Sequence, residues 1–165
     1  MAAEPAMLLI IWHSRTGAAR AMADAARQGA AMEGDARLLA AAEAQPHDLL
    51  AAQGYLFVCP ENLGTMSGAM KEFFDRSYYP LLGQIEGRPF ATAIAAGSDG
   101  SGAERQIERI VTGWRLRRIA ESLIVNLAVQ TPEAILVAKT VPQAALQECH
   151  DLGQSFGAGL TMGLF

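Results

Sequence analysis

Three short stretches hold the residues best suited to chemistry. Ser14-Arg15-Thr16-Gly17-Ala18-Ala19 places two hydroxyls, one guanidinium and a glycine directly before a run of helix formers. The first turn of a helix has free backbone N–H groups and a partial positive charge, so this stretch can seat an anion. An ordinary strand-to-helix turn with a Ser or Thr cap uses the same residues, and the stretch alone leaves both readings open. Pro60-Glu61-Asn62-Leu63-Gly64-Thr65-Met66 mixes a rigid residue, a flexible one, polar groups and apolar ones, a mixture typical of pocket-lining loops. Gly97-Ser98-Asp99-Gly100-Ser101-Gly102 is glycine-rich and permits close backbone approach.

Several chemistries are absent. The turn His13–Ala18 has a single glycine, so the G-x-G-x-x-G dinucleotide fingerprint is missing, and no glycine-rich run ends in Gly-Lys-Ser/Thr. Ser14, Ser67 and Ser98 all lack the G-x-S-x-G frame of a nucleophile elbow. A phosphoacceptor domain would end its first and third strands on acidic residues, whereas here those ends are Trp12-His13 and Cys59-Pro60. Cys59 and Cys149 lack metal-type spacing and read as reduced, and the three histidines lie far apart.

The elements that must position the three stretches follow from periodicity. Met7–Trp12 is a continuous apolar run, as expected of a strand buried on both faces of a parallel sheet. Residues 18–32 form a helix with Ala19, Met22, Ala23 and Ala26 on one stripe. Residues 36–41 are a short strand, residues 48–52 a helical turn and residues 54–59 a strong strand. Ser67 caps a helix that buries Met70, Phe73 and Phe74 and closes at Tyr78-Tyr79-Pro80. Residues 90–96 are a strand. Ser101 and Glu104 form a capping box for a helix that runs to about Arg118, where Arg115, Arg117 and Arg118 suit its C-terminal dipole. Residues 120–126 are the fifth strand. Residues 127–139 match no single template, and within them Glu133–Val137 reads as a helical turn or a short extra strand. Thr140 and Gln143 form a second capping box, with Pro142 in the first turn of the last helix.

Strand and helix thus alternate, which gives an α/β fold with helices on both faces of a parallel sheet. The loops after strands one, three and four then gather at one sheet edge, where ligands of such folds bind. The 165 residues fit one domain, residues 1–165, with a formal charge of −4 that excludes a general nucleic-acid binder. No apolar run is long enough to span a bilayer, and Met1–Pro5 lacks a basic signal start, so the reading is a soluble cytoplasmic protein.

Over roughly residues 7–165, the chain resembles the flavodoxin-like superfamily, and within it the small flavodoxin-family proteins and the NAD(P)H-dependent FMN and quinone reductases. The phosphate loop of that family, Thr/Ser-x-Thr-Gly-x-Thr/Ala, is matched by Ser14–Ala19, with Ala19 in place of the final hydroxyl. The second family loop, Pro-x-x-x-Gly followed by Ser, Lys, Phe and Asp, is matched by Pro60–Ser67 with Lys71, Phe73, Phe74, Asp75 and Arg76. The third is matched by Gly97–Gly102.

The resemblance implies a three-layer flavodoxin-like sandwich with a five-stranded parallel sheet in the order 2-1-3-4-5. It implies FMN as cofactor, its phosphate held by Ser14, Arg15, Thr16, Gly17 and Ala18. The ribityl chain and ring edge would be held by Pro60, Glu61, Asn62, Leu63, Gly64 and Thr65. Gly97, Ser98, Asp99 and Gly100 would face the ring from the other side. His13 is expected behind the phosphate site as a hydrogen-bonded support, and Glu61 is expected to face solvent. The flavin carries the chemistry, so no catalytic side chain and no metal are expected. The implied activity is transfer of electrons from NAD(P)H to a quinone, a flavin or a similar acceptor, commonly in a homodimer. A flavodoxin-type carrier serving a redox protein is the alternative, and a binding module without flavin the third reading. Carriers tend to ring the flavin with acidic residues, whereas these loops hold only Glu61 and Asp99.

Overall fold

A computed structural model describes residues 5–165; residues 1–4, most of the Met1–Pro5 start, lie outside it. The strands are β1 (Met7–Trp12), β2 (Asp35–Ala40), β3 (Gly54–Asn62), β4 (Thr65–Met66), β5 (Pro89–Ala96), β6 (Arg117–Arg118) and β7 (Leu123–Asn126). The helices are α1 (Ala18–Ala31), α2 (Pro46–Ala51), α3 (Gly68–Leu81), α4 (Ser101–Gly113), α5 (Pro132–Leu136) and α6 (Gln143–Thr161).

The sheet runs β2-β1-β3-β5, with β6 and β7 both on the far side of β5. These pairings are all parallel; β4 alone runs antiparallel, against the end of β3. The order foreseen from sequence is therefore present, with the fifth position divided between two short strands. Side chains alternate across each strand. Leu9, Ile11, Tyr55 and Phe57 meet Phe73, Phe74 and Trp114 from α3 and the end of α4. Leu8, Ile10, Leu56 and Val58 meet Met22 and Ala26 of α1 and Phe156 of α6 on the opposite face. The result is a three-layer sandwich.

Several boundaries differ from the sequence reading. β3 extends to Asn62 and turns back into β4, so the expected loop over residues 60–66 is a β-hairpin. α3 runs through Pro80 to Leu81, whose side chain is fully buried, so core packing carries the helix past the residue expected to close it. α4 stops at Gly113 instead of Arg118. Trp114 is buried and its indole N–H donates to Tyr78 O at 2.9 Å, while Arg115 turns the chain at φ 57°. Arg117 and Arg118 then pair with Pro89 and Phe90 in the sheet, so they do not serve a helix dipole. Arg118 instead bonds Glu104 at 2.6 Å and Glu108 at 3.2 Å. Its guanidinium also donates to Ala120 O, and Thr92 Oγ1 donates to Ser122 Oγ, which interrupts the strand expected to start at residue 120.

Three expected caps are also replaced. Ser67 makes no capping bond. Gly100 precedes α4, with Ser101 already inside the helix and Glu104 committed to Arg118. Pro142 is the residue before α6, and no side chain caps that end.

α1 and α6 pack closely on glycine. A Cβ built on Gly153 would lie 1.9 Å from Ala26 O, and one on Gly29 would lie 2.0 Å from His150 O. Both positions face backbone, which cannot rotate away as a side chain can. Gly153→Ala should therefore destabilise the fold by about 2 kcal/mol or more through overpacking. Urea unfolding of the two proteins tests this, and an unchanged midpoint would contradict the packing.

Candidate functional site

The C-terminal ends of β1, β3 and β5 open on a cleft of about 740 Å³, within the size range of small-molecule sites. Its walls come from the three stretches singled out by sequence and from one that was not.

The first wall is the β1–α1 loop. Ser14, Arg15, Thr16, Ala18 and Ala19 line the cleft. Gly17 is the residue before α1, held at φ 97°, a left-handed conformation that suits glycine. Its N–H donates to Ser14 Oγ at 3.0 Å. No side chain caps α1 and no acidic residue lies in its first turn, so its opening N–H groups have no intrahelical partner and keep their positive end at the cleft. His13 stands behind this loop, with Nδ1 2.8 Å from Ser67 Oγ, which links the loop to the start of α3. That bond is what occupies the Ser67 hydroxyl. Burial, and then the charge of Arg15, hold the His13 pKa below its ordinary value.

The second wall is the β3–β4 hairpin, with Pro60, Glu61, Asn62, Leu63 and Gly64 on the cleft. Leu63 and Gly64 occupy the turn at φ 54° and φ 76°, and the Leu63 side chain is fully exposed at its tip. Glu61, expected to face solvent, does not. It is half-buried, and its carboxylate accepts from Gly100 N at 2.9 Å and Ala103 N at 3.0 Å. It therefore caps α4 in place of Ser101. The reason is helix electrostatics: the free N–H groups at the start of α4 attract the nearest carboxylate, and the hairpin brings Glu61 there. Gln106 Oε1 accepts from Met66 N at 2.8 Å, and a Cβ on Gly102 would lie 2.0 Å from Gly64 O. The hairpin is thus seated directly on the first turns of α4.

The third wall is Ala95, Ala96, Gly97 and Ser98. The cleft does not include Gly17, Thr65, Asp99 or Gly100, although sequence grouped them with it. Gly17 and Gly100 shape the backbone before their helices. Thr65 Oγ1 donates within its own turn, to Asn62 O and Met66 O. Asp99 is exposed and accepts from Ser101 N and Ser101 Oγ, bonds that hold its carboxyl below the usual range.

The wall that sequence reasoning missed is Leu127, Val129, Gln130, Pro132, Ile135, Leu136 and Lys139. Its hydrophobic residues follow neither a helical nor a strand period, because the segment packs along a cleft and not across a core. Its apolar content next to a fifth strand was the available signal.

Cys59 and Cys149 are buried and free, and burial pushes their thiols up to about 12 and about 11. Neither is a thiolate at neutral pH. Trp114 is core; Tyr78 stacks on it, while Tyr79 is exposed. Among the described residues no group of three or more His, Cys, Asp or Glu could hold a metal ion, and no helix is long and apolar enough to cross a membrane.

With this geometry in view, the comparisons with known proteins are decisive for the family. The model of the NADPH-dependent FMN reductase family matches residues 33–128, which include the hairpin and the third wall. The chain belongs to that family. A flavodoxin from Aquifex aeolicus (strain VF5) is 36% identical over 107 residues, 64% of this chain and 58% of that protein, so the match spans less than two thirds of the relative. Two solved structures cover almost the whole chain. A flavodoxin from the domain Archaea superposes with a TM-score of 0.75 at 17% identity, over 93% of this chain and 98% of its own. The WrbA-like flavodoxin from Agrobacterium tumefaciens gives 0.66 at 17% identity, over 96% of each chain. At these identities the likeness is one of fold. The family match and these structures together place the chain in the flavodoxin-like superfamily.

Two outcomes test the site's internal bonds. Removing the Glu61 carboxylate leaves the N–H groups of Gly100 and Ala103, both buried residues, without their acceptor. Glu61→Ala should therefore cost about 2 kcal/mol of stability, measured by urea unfolding. A lowered His13 pKa means that the folded state binds fewer protons than the unfolded one. His13 contributes its stability fully above pH 6.5, and that contribution declines as pH falls toward the lower folded value. His13→Asn should remove this part of the acid sensitivity when melting temperatures are compared between pH 7.5 and 5.5.

Proposed function

We propose that the cleft binds FMN and that the chain acts as a flavodoxin-type electron-transfer protein. The observation that carries this reading is the pairing, in one cleft, of the uncapped N-terminus of α1 beside Arg15 with an apolar floor of Ala95, Ala96, Leu127 and Val129. A phosphate suits the first and a flat ring the second. FMN supplies the electron or hydride chemistry when bound.

The residues of the chain have the task of holding and shaping. Ser14, Arg15, Thr16 and Ala18 hold the phosphate with hydroxyls, a guanidinium and main-chain N–H groups, and Gly17 sets the turn that presents them. Pro60, Asn62, Leu63, Gly64 and Thr65 form the hairpin that addresses the ribityl chain and ring edge. Glu61 fixes that hairpin to α4, so it keeps one shape beside the ring. Gly97 and Ser98 close the opposite side, with Asp99 and Gly100 setting the turn behind them.

A specific observation favours a second reading, an NAD(P)H-dependent reductase that passes electrons to a quinone, a flavin or a similar small acceptor. The cleft carries exposed apolar side chains, Leu63, Ile135 and Leu136. Such side chains suit a small apolar acceptor, whereas docking to a redox protein is commonly steered by an acidic rim. The family match supports the same reading. A second copy of the chain completing the cleft belongs to it.

The experiment is a visible spectrum after incubation with excess FMN and desalting, followed by anaerobic addition of NADPH or NADH. The expected result is retained flavin absorbance that dithionite bleaches and NAD(P)H alone does not. Rapid bleaching by either nucleotide establishes the reductase and its donor. Absence of retained flavin rejects tight FMN binding.

A further inference from the structure

The missed wall brings a charge to the phosphate end of the cleft. The chain has two lysines, Lys71 and Lys139. Lys71 pairs with Asp75 at 2.6 Å. Lys139 meets no carboxylate among the described residues, and neither does Arg15. Both line the cleft, together with Ser14, Thr16, Ala18 and Ala19.

The position of Lys139 is fixed twice. Its main-chain N–H donates to Thr16 O at 2.8 Å, which ties it to the β1–α1 loop. Its ammonium donates to Ile135 O at 2.7 Å and Val137 O at 2.6 Å. Carbonyls hold the ammonium without neutralising it, and an ammonium has three donors, so one is left over. The side chain is half-buried, where a charge is screened less than at an open surface. Two uncompensated cations and an uncapped helix start therefore converge on one end of the cleft, which is the requirement for a dianion. The loop also lacks a hydroxyl at Ala19, so a donor from elsewhere has a place to act.

We infer that Lys139 is a phosphate-recognition residue that makes the cleft select a phosphorylated flavin over its unphosphorylated counterpart. The inference rests on the proposed FMN site and goes beyond it, because Lys139 lies outside both the phosphate loop and the part of the chain matched by the family model, residues 33–128. The alternative role for this side chain is mechanical: it pins Ile135 and Val137 and so supports the wall against any occupant.

Paired titrations with FMN and riboflavin, followed by flavin fluorescence, separate the two roles. The ring is common to both ligands and only FMN has the phosphate. Wild type should bind FMN more tightly than riboflavin. Lys139→Met should weaken FMN about tenfold and leave riboflavin within a factor of about two, while Lys139→Arg should keep most of the selectivity. Equal weakening of both ligands by Lys139→Met would show a pinning role and overturn the inference with the FMN site intact, as would unchanged FMN affinity. Wild-type protein that binds FMN and riboflavin equally would overturn the phosphate seat as a whole. Wild-type protein that binds neither would overturn the proposed function and this inference with it.

Discussion

The two bonds from the Glu61 carboxylate to the start of α4 are the interaction on which the cleft depends. A two-residue strand such as β4 has little stability of its own, and a hairpin tip at the edge of a sheet is free to move unless something holds it. Here a full negative charge meets main-chain N–H groups at the positive end of a helix, where hydrogen bonds to ions are at their strongest. The same carboxylate thereby joins two walls, the hairpin and the turn before α4, that are far apart in sequence. Gln106 and the close approach of Gly102 to Gly64 extend the seam. The sheet supplies the floor, and this contact decides the shape of one side.

The other side is governed by a different rule. α1 presents its start without a cap, whereas α4 presents its start already satisfied. Two helices of similar length begin at the same sheet edge, and only one keeps its N-terminal charge available. This asymmetry gives the cleft a cationic end and a neutral end. A molecule with a phosphate on one terminus and a flat ring on the other has one orientation that fits.

Much of this was legible in the residues. β1, β3 and β5 are short continuous apolar runs ending in polar or glycine-rich loops, and that pattern alone fixes which loops meet. The order of the sheet came from the resemblance to the flavodoxin-like superfamily, and right-handed crossovers accounted for helices on both of its faces. What failed to show were polar contacts between distant segments. Ser101 followed by Glu104 fits a capping box as a string, yet tertiary structure gives Glu104 to Arg118 and the helix start to Glu61. Ser67 fits a cap and is taken by His13. The segment from Leu127 to Lys139 has no period because it covers a cleft, and periodicity is a signal of repeated burial on one face. Arg115, Arg117 and Arg118 read as a helix end because local charge says so, while burial of Trp114 ends the helix earlier.

Leu63 has a consequence of another kind. A bulky residue held in the left-handed region costs about 1–2 kcal/mol relative to ordinary backbone, and its side chain is fully exposed, so no burial in the isolated chain offsets that cost. Glycine or asparagine at this position would relax the turn. The tip is therefore a place where the sequence forgoes stability, and only a molecule that covers Leu63 can recover it. A molecule that covered Leu63 would bury apolar area that the isolated chain leaves in water.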